Sequence, residues 1–452
     1  MAASQLRGGH IIFEAMGYGP KDLSFAARRF MRIARTRNDS GEGSVRSGLP
    51  TVTLVLGSQS FQKQLASTLQ EWGMLKRVHS FGIDLEIFDP EGPENLKLVH
   101  RFTQYRLANR ILWGLWRRTP GNQLSRTLPV VFSTTTADWL ASQWMPVCAI
   151  YHGWTSLALA GIQAAKRHGA TTLLENAVMH PRAWQRAVLT ECEAFGIKPR
   201  NCRAILPSML IRRMEREFEI CDYIVVPSEV ARRSFEAAGY ADKTIVVHAG
   251  VDHRFFTPPA ASPPRQPFRV CCVGRVEIAK GVPYLLQAWK KLSLPNAELV
   301  MIGEVASEMR PLLQQFALPN VRLMGLLSPV EVADWYRRSH LFVFASVNEG
   351  LARVLFESMA AGLPVVATEA SGARDCLTEG ADGNIVPARN PDALAEAILW
   401  HYRNPEATIA MGKAARATIE QRFTVEHYIE RIIGVYCTVA GARSGVPEPT
   451  EA

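Results

Sequence analysis

From Thr51 onward, short apolar runs rich in β-branched residues alternate with amphipathic stretches of helical length. Thr51–Leu56, Val147–Tyr151, Thr171–Leu174, Tyr223–Val226 and Thr244–Val247 read as strands. Their apolar positions are consecutive rather than alternating, the pattern of strands buried on both faces. Ser156–His168 and Ser228–Ala238 read as helices between them. The pattern breaks at Phe256–Pro267, where five prolines in twelve residues exclude a helix or a central strand. It resumes with Phe268–Val273, Glu298–Ile302, Val321–Met324, Leu341–Phe344 and Pro364–Ala367, again separated by helical stretches. The alternation predicts an α/β protein of two doubly wound, Rossmann-like domains facing a central cleft.

The expected organisation is an extension over residues 1–50, a first domain over 51–253 and a proline-rich linker over 254–267. A second domain follows over 268–423, then a last helix over 424–440 and a tail over 441–452. The chain's 452 residues suffice for two separate cores. The extension reads as a tail and linker: Ala27–Arg37 holds five arginines and no acid, and Asn38–Pro50 is rich in Gly and Ser. No apolar run reaches the roughly 18 residues of a membrane span. Residues 1–19 include Glu14 and no continuous apolar core, so no secretory signal is expected.

The net charge of +9 favours anionic partners: nucleotides, phosphates, nucleic acid or an acidic membrane surface. Eight cysteines form no C-x-x-C pair and no zinc-spaced cluster with histidine. Cys271 and Cys272 lie inside an apolar run. Reduced, buried thiols in a cytoplasmic protein are the expectation.

Two segments of the second half carry unusual chemistry. In open α/β sheets, ligands bind beyond the carboxyl ends of strands. Gly274-Arg275-Val-Glu-Ile-Ala-Lys280-Gly281 directly follows the strand Phe268–Val273. Gly274 lets a ligand approach the backbone, Arg275 offers a planar fork to phosphate oxygens, and Lys280 adds a mobile charge. A helix starting near Gly281 adds unpaired amides. The alternative is a surface turn with two solvated cations. The second segment is Asn348-Glu349-Gly350-Leu351 and on to Glu357, between the strand Leu341–Phe344 and a helix. Glu349 lies at the strand-to-helix turn, which Gly350 tightens, and Glu357 falls about one and a half turns into a helix starting near Ala352. Each carboxylate can accept from paired sugar hydroxyls. Either alone reads first as a solvated helix charge; the pair, with seven residues between them after a buried strand, favours a site.

The order G-R-x4-K-G, E-G-x6-E, Gly362-Leu-Pro-Val-Val-Ala-Thr368 and Gly372-Ala-Arg-Asp375 resembles the family-4 retaining glycosyltransferases of GT-B fold. Val226-Pro-Ser-Glu229 and Gly250-Val-Asp252 extend the resemblance, which covers roughly Thr51 to Cys437. It implies sugar transfer from a nucleoside-diphosphate sugar to a carbohydrate or lipid-linked acceptor, with no obligatory metal or cofactor and no nucleic-acid partner. Arg275 and Lys280 would hold the diphosphate, Glu349 the donor sugar and Glu357 the ribose, with Gly274, Gly350, Leu351 and Gly57 also at the donor. Retention would follow from a front-face reaction in which the leaving phosphate helps deprotonate the acceptor, so no covalent nucleophile is assigned. The family's last helix commonly crosses back onto the first domain, and Thr424–Cys437 is the matching segment.

Two departures bear on the donor. The loop Gly57-Ser58-Gln59-Ser60 has one glycine where many relatives have more, and Arg353 stands where a small or apolar residue is usual. In the first half, Tyr151-His152-Gly153-Trp154 follows an apolar run, so His152 either faces the cleft or packs inside; Glu175 and His180 are weaker candidates. Leu98–Arg118 holds five arginines among aromatics and no acid. That suits a helix on an anionic membrane, peripheral on its inner face, or one gripping a lipid-linked acceptor. The competing account is an ordinary amphipathic helix packed on the sheet. Competing functional readings are a GT-B epimerase and a non-catalytic sugar-nucleotide-binding scaffold.

Overall fold

The computed structural model describes residues 49–444 except 57–59, 82–84, 91–95, 262 and most of 103–122. Gly57, the extension up to residue 48 and the tail beyond residue 444 therefore lie outside the described residues.

Among the described residues the first sheet has eight strands. They are β1 (Val52–Leu56), β2 (Leu75–Phe81), β3 (Leu85–Pro90), β4 (Leu96–Arg101), β5 (Ile150–Trp154), β6 (Thr171–Glu175), β7 (Tyr223–Val226) and β8 (Thr244–Val246). Their order is β4-β3-β2-β1-β5-β6-β7-β8. Helices α1 (Ser60–Glu71), α2 (Gln123–Ser142), α3 (Leu159–Arg167), α4 (Pro181–Ala194), α5 (Ser208–Ile220) and α6 (Glu229–Glu236) accompany it.

The second sheet comprises β9 (Phe268–Val273), β10 (Ala297–Ile302), β11 (Val321–Gly325), β12 (Leu341–Phe344), β13 (Val365–Thr368) and β14 (Gly383–Val386). Its order is β11-β10-β9-β12-β13-β14, parallel throughout. Its helices are α7 (Val282–Leu292), α8 (Arg310–Phe316), α9 (Pro329–Arg337), α10 (Arg353–Ala360), α11 (Pro391–Arg403) and α12 (Pro405–Arg422). Every residue of β10, β12 and β13 is buried, which is why these strands read as largely apolar runs; Glu298 of β10, paired with Arg269 and Arg322, is the charged exception.

The first sheet corrects the expectation of purely parallel pairing: β3 runs antiparallel to both β2 and β4. These strands escaped the hydrophobic pattern because they are polar: β2 reads Leu-Lys-Arg-Val-His-Ser-Phe and β4 Leu-Lys-Leu-Val-His-Arg. Strand β5 also moves. It starts at Ile150 and runs to Trp154, while Val147 is 73% exposed. His152 is therefore mid-strand rather than beyond a strand's end. The helix over Leu98–Arg118 is corrected as well, since Leu98–Arg101 belongs to β4. Farther along, Tyr105 is helical and packs on Ala137 and Ala141 of α2, whereas Leu107 and Ile111 are exposed. No described helix is long and apolar enough to cross a membrane.

The last helix, α13 (Val425–Ser444), leaves the second domain and packs into the first. Tyr428, Ile432, Val435 and Tyr436 share one core with Val52, Leu54, Ile150 and Val225. Burying side chains of this size stabilises by about 1.5–3 kcal/mol each, so the first domain depends on the chain's far end.

Candidate active site

The order of the second sheet reverses between β9 and β12, and a crevice forms where the loops after such strands part. The loop after β9 turns through Ile278–Lys280 and Gly281, whose φ is 64°. A Cβ at Gly281 would lie 1.8 Å from the Ala345 carbonyl oxygen, so only glycine lets this turn rest on the loop after β12. Two hydrogen bonds fasten the loops: the Ser346 hydroxyl and the Val347 amide donate to the Ala279 carbonyl at 3.1 and 3.2 Å. The result is an ion pair between Lys280 Nζ and the Glu349 carboxylate, residues 69 apart in sequence. Phe344 lies under the ammonium, its ring centre 5.6 Å away. The Glu349 amide donates to the Ala370 carbonyl at 2.9 Å, which sets the carboxylate's position.

Helix α10 begins at Arg353 with Ala352 as its N-cap, which has no side-chain oxygen to satisfy the first amides. The helix start faces a cavity of about 250 Å³ between the domains. Gly274, Lys280, Glu349 and Leu351 line it from one side, and Trp154, Glu175 and Asn176 from the other. Amide donors, a helix dipole and a lysine on one wall suit a phosphate group.

Glu357 sits one turn into α10. The Tyr336 hydroxyl donates to it at 3.4 Å and Arg353 stands 3.8 Å away. Burial pushes its carboxyl above the usual carboxylate range, against the pull of Arg353. Arg275 is half-exposed and lies by carboxylates, 3.2 Å from Glu277 and 4.0 Å from Glu304. Neither Arg275 nor Glu357 lines the cavity as it stands.

Motifs that carried no chemistry in the sequence turn out to join the domains. A Cβ on Gly350 would fall 2.6 Å from the Ala177 carbonyl oxygen, because the first domain's backbone presses on this glycine. The Ser228 hydroxyl donates to the Gly350 carbonyl while accepting from the Ala231 amide at 3.1 Å as the cap of α6. The Glu229 amide donates to Asp375 at 2.7 Å. Val226-Pro-Ser-Glu229 and Gly372-Ala-Arg-Asp375 thus meet across the cleft. A second junction uses Glu191 of α4, fully buried, which accepts from Arg389 at 2.6 Å and from Tyr284 at 2.9 Å.

The first-domain histidines do not line the cavity. His152 is buried, its Nδ1 2.6 Å from the Tyr436 hydroxyl. His180 accepts from the Arg182 amide as the cap of α4 and packs among Phe218, Phe235 and Tyr240. Burial lowers its pKa to about 4. Glu175 lines the cavity, with Trp154 and Asn176, which sequence reasoning missed. The shift of β5 hid Trp154, and nothing local marks Asn176.

A larger cavity, about 570 Å³, opens beneath the linker at the amino ends of β9, β12 and β13. It lies away from the ligand-binding ends of the strands. Of its cations, Arg265 pairs with Glu406, and Arg416 donates to the carbonyls of His253, Phe256 and Ala360.

Two Rossmann-like domains with a cation-and-carboxylate crevice between them make the GT-B fold. Residues 256–418, less than half of the chain, match the model of the family glycosyl transferases group 1. The chain is 28% identical over 249 residues to the lipopolysaccharide core biosynthesis mannosyltransferase LpcC of Rhizobium leguminosarum bv. viciae, covering 51% of this chain and 67% of that protein. It is 30% identical over 227 residues to phosphatidyl-myo-inositol mannosyltransferase of Mycobacterium leprae, covering 49% and 60%. The match thus spans less than two thirds of the second relative. Among solved structures, sucrose-phosphate synthase from Thermosynechococcus elongatus superposes with a TM-score of 0.61 at 17% identity, covering 87% of this chain and 99% of that one. HepE of Anabaena in complex with UDP-glucose gives 0.57 at 16%, covering 88% and 100%. At these identities the superpositions establish the fold.

Proposed function

We propose that the chain transfers a sugar from a nucleoside-diphosphate sugar to a carbohydrate or lipid-linked acceptor, with retention and without a metal. The observation that carries this reading is the convergence of Lys280, Glu349 and the start of α10 on one cavity between the domains. A diphosphate entering there meets an ammonium and helix amides, which stabilise the charge that grows as it leaves. Lys280 then exchanges its contact with Glu349 for a phosphate, freeing the carboxylate for sugar hydroxyls. Arg275 joins by turning from Glu277 and Glu304, and Glu357 takes the ribose. Front-face transfer needs no covalent nucleophile: the leaving phosphate oxygen accepts the acceptor's proton. The relatives named as mannosyltransferases of lipopolysaccharide and phosphatidylinositol support a glycolipid acceptor. Exposed Leu107 and Ile111 with Arg110 support work at the inner face of a membrane.

The test incubates the protein with uridine-, guanosine- and adenosine-diphosphate sugars, with and without a chelator, and follows free nucleoside diphosphate. Slow release from one donor, unaffected by the chelator and lost in Arg275→Ala, is the expected result. No release and no thermal stabilisation by any donor would sink the reading. Sedimentation with anionic vesicles tests the membrane contact, which is discarded if the protein stays in solution.

A further inference from the structure

We propose that α13 is a working part of the cleft: Tyr428, together with His152 braced by Tyr436, aims the Glu175 carboxylate at hydroxyls of the transferred sugar. This rests on the reading of the cavity as a donor site. Glu175 ends β6 and lines the cavity from the first domain, opposite Lys280 and Glu349. Its side chain is 12% exposed, so a carboxylate reaches the cavity through a narrow opening and has little freedom elsewhere. The Tyr428 hydroxyl, fully buried, donates to it at 3.1 Å. On its other flank His152 Nε2 stands 3.4 Å from Oε2. That nitrogen is buried and makes no hydrogen bond among the described residues. The opposite nitrogen, Nδ1, is 2.6 Å from the Tyr436 hydroxyl. With Tyr436 donating there, the imidazole carries its proton on Nε2, facing Glu175. Burial holds both tyrosine pKa values well above the ordinary range, so both remain donors.

Three polar side chains from two distant parts of the chain thus stand behind one carboxylate at the cavity wall: Tyr428 and His152 beside it, and Tyr436 behind His152. Burying polar groups costs stability unless they are hydrogen-bonded, and in this cluster the carboxylate is the member that lines the cavity. An ionised carboxylate only accepts hydrogen bonds, and the one that Tyr428 donates occupies only part of that capacity. The remaining capacity is directed to the space that Glu349 reaches from the opposite wall. A sugar ring held between two carboxylates, one from each domain, is oriented only when the cleft is closed. Glu175 would touch the sugar; His152, Tyr428 and Tyr436 are positioning residues.

The test uses the full chain and the donor that the panel identifies, following both slow donor hydrolysis and transfer. Glu175→Gln is expected to lower both by about 100-fold, while the Kd for free nucleoside diphosphate stays within about twofold. Tyr428→Phe keeps the packed ring; it is expected to lower kcat about tenfold with KM for the donor changed less than about twofold. Wild-type turnover in Glu175→Gln overturns the proposal. Loss of transfer with hydrolysis intact also overturns it, moving Glu175 to the acceptor. A lowered Tm with unchanged kcat in Tyr428→Phe reduces the tyrosine to packing and overturns its positioning role. Failure of the underlying reading looks different: the unmutated protein neither releases nor binds any nucleoside diphosphate.

Discussion

The two domains build their cleft walls in opposite ways. In the second, the groups that converge come from two loops, each directly after a buried strand, and the strands deliver them. Lys280 and Glu349 are far apart in sequence, yet β9 and β12 are neighbours and their loops end at the same height. In the first, Glu175 is held from behind by Tyr428, and His152 by Tyr436, both on a helix that follows the whole second domain. One wall is assembled by strand order, the other by a long-range packing event. The lesson is that a wall made by strand order leaves local motifs, and a wall made by packing does not.

Experiments can break this comparison at graded strength. The largest effect is expected for Lys280→Ala, which removes the only lysine lining the cavity among the described residues and should lower turnover about 1000-fold, measured as nucleoside-diphosphate release. Arg275→Ala and Glu357→Ala should each lower turnover about 100-fold. Near-normal rates in both would show that the second-domain motif is decoration. Gly350→Ala tests closure instead: its methyl meets the first domain's backbone, and turnover should fall about 30-fold with nucleotide binding retained. Equal loss of binding would place the fault within the second domain.

Glu191→Ala should act on stability rather than chemistry. It removes the buried partner of Arg389 and Tyr284 and should destabilise by about 3 kcal/mol in denaturant unfolding. The smallest effect concerns pH. Burial raises the Glu357 pKa above the ordinary carboxylate value, so the folded protein takes up this proton more readily than the unfolded chain. Between the two pKa values the free protein therefore loses stability as pH rises. A ribose needs the ionised carboxylate, so nucleotide affinity should rise over the same window, several-fold by calorimetry. In Glu357→Gln both trends should vanish.

The second domain was largely legible. Phe268–Val273 and Leu341–Phe344 were read with the bounds they have, because parallel strands buried along most of their length are near-continuous apolar runs, broken here only by Arg269. The first was read less well. Strands β2, β3 and β4 mix charge with apolar residues, and β5 lies three residues later than its apolar run suggests. That displacement turned His152 from a loop residue into a core one.

By itself the sequence determined the fold class, the alternation of elements, and the placing of Gly274, Lys280, Glu349 and Gly350 on loops after strands. These follow from periodicity and turn chemistry, which act over a few residues. Only the tertiary structure decided that Lys280 meets Glu349, that Ser228 and Asp375 join the domains, and that Tyr428 and Tyr436 stand behind Glu175. Those contacts span tens to hundreds of residues, and their energies arise from burial and hydrogen bonding that exist only once the chain has packed.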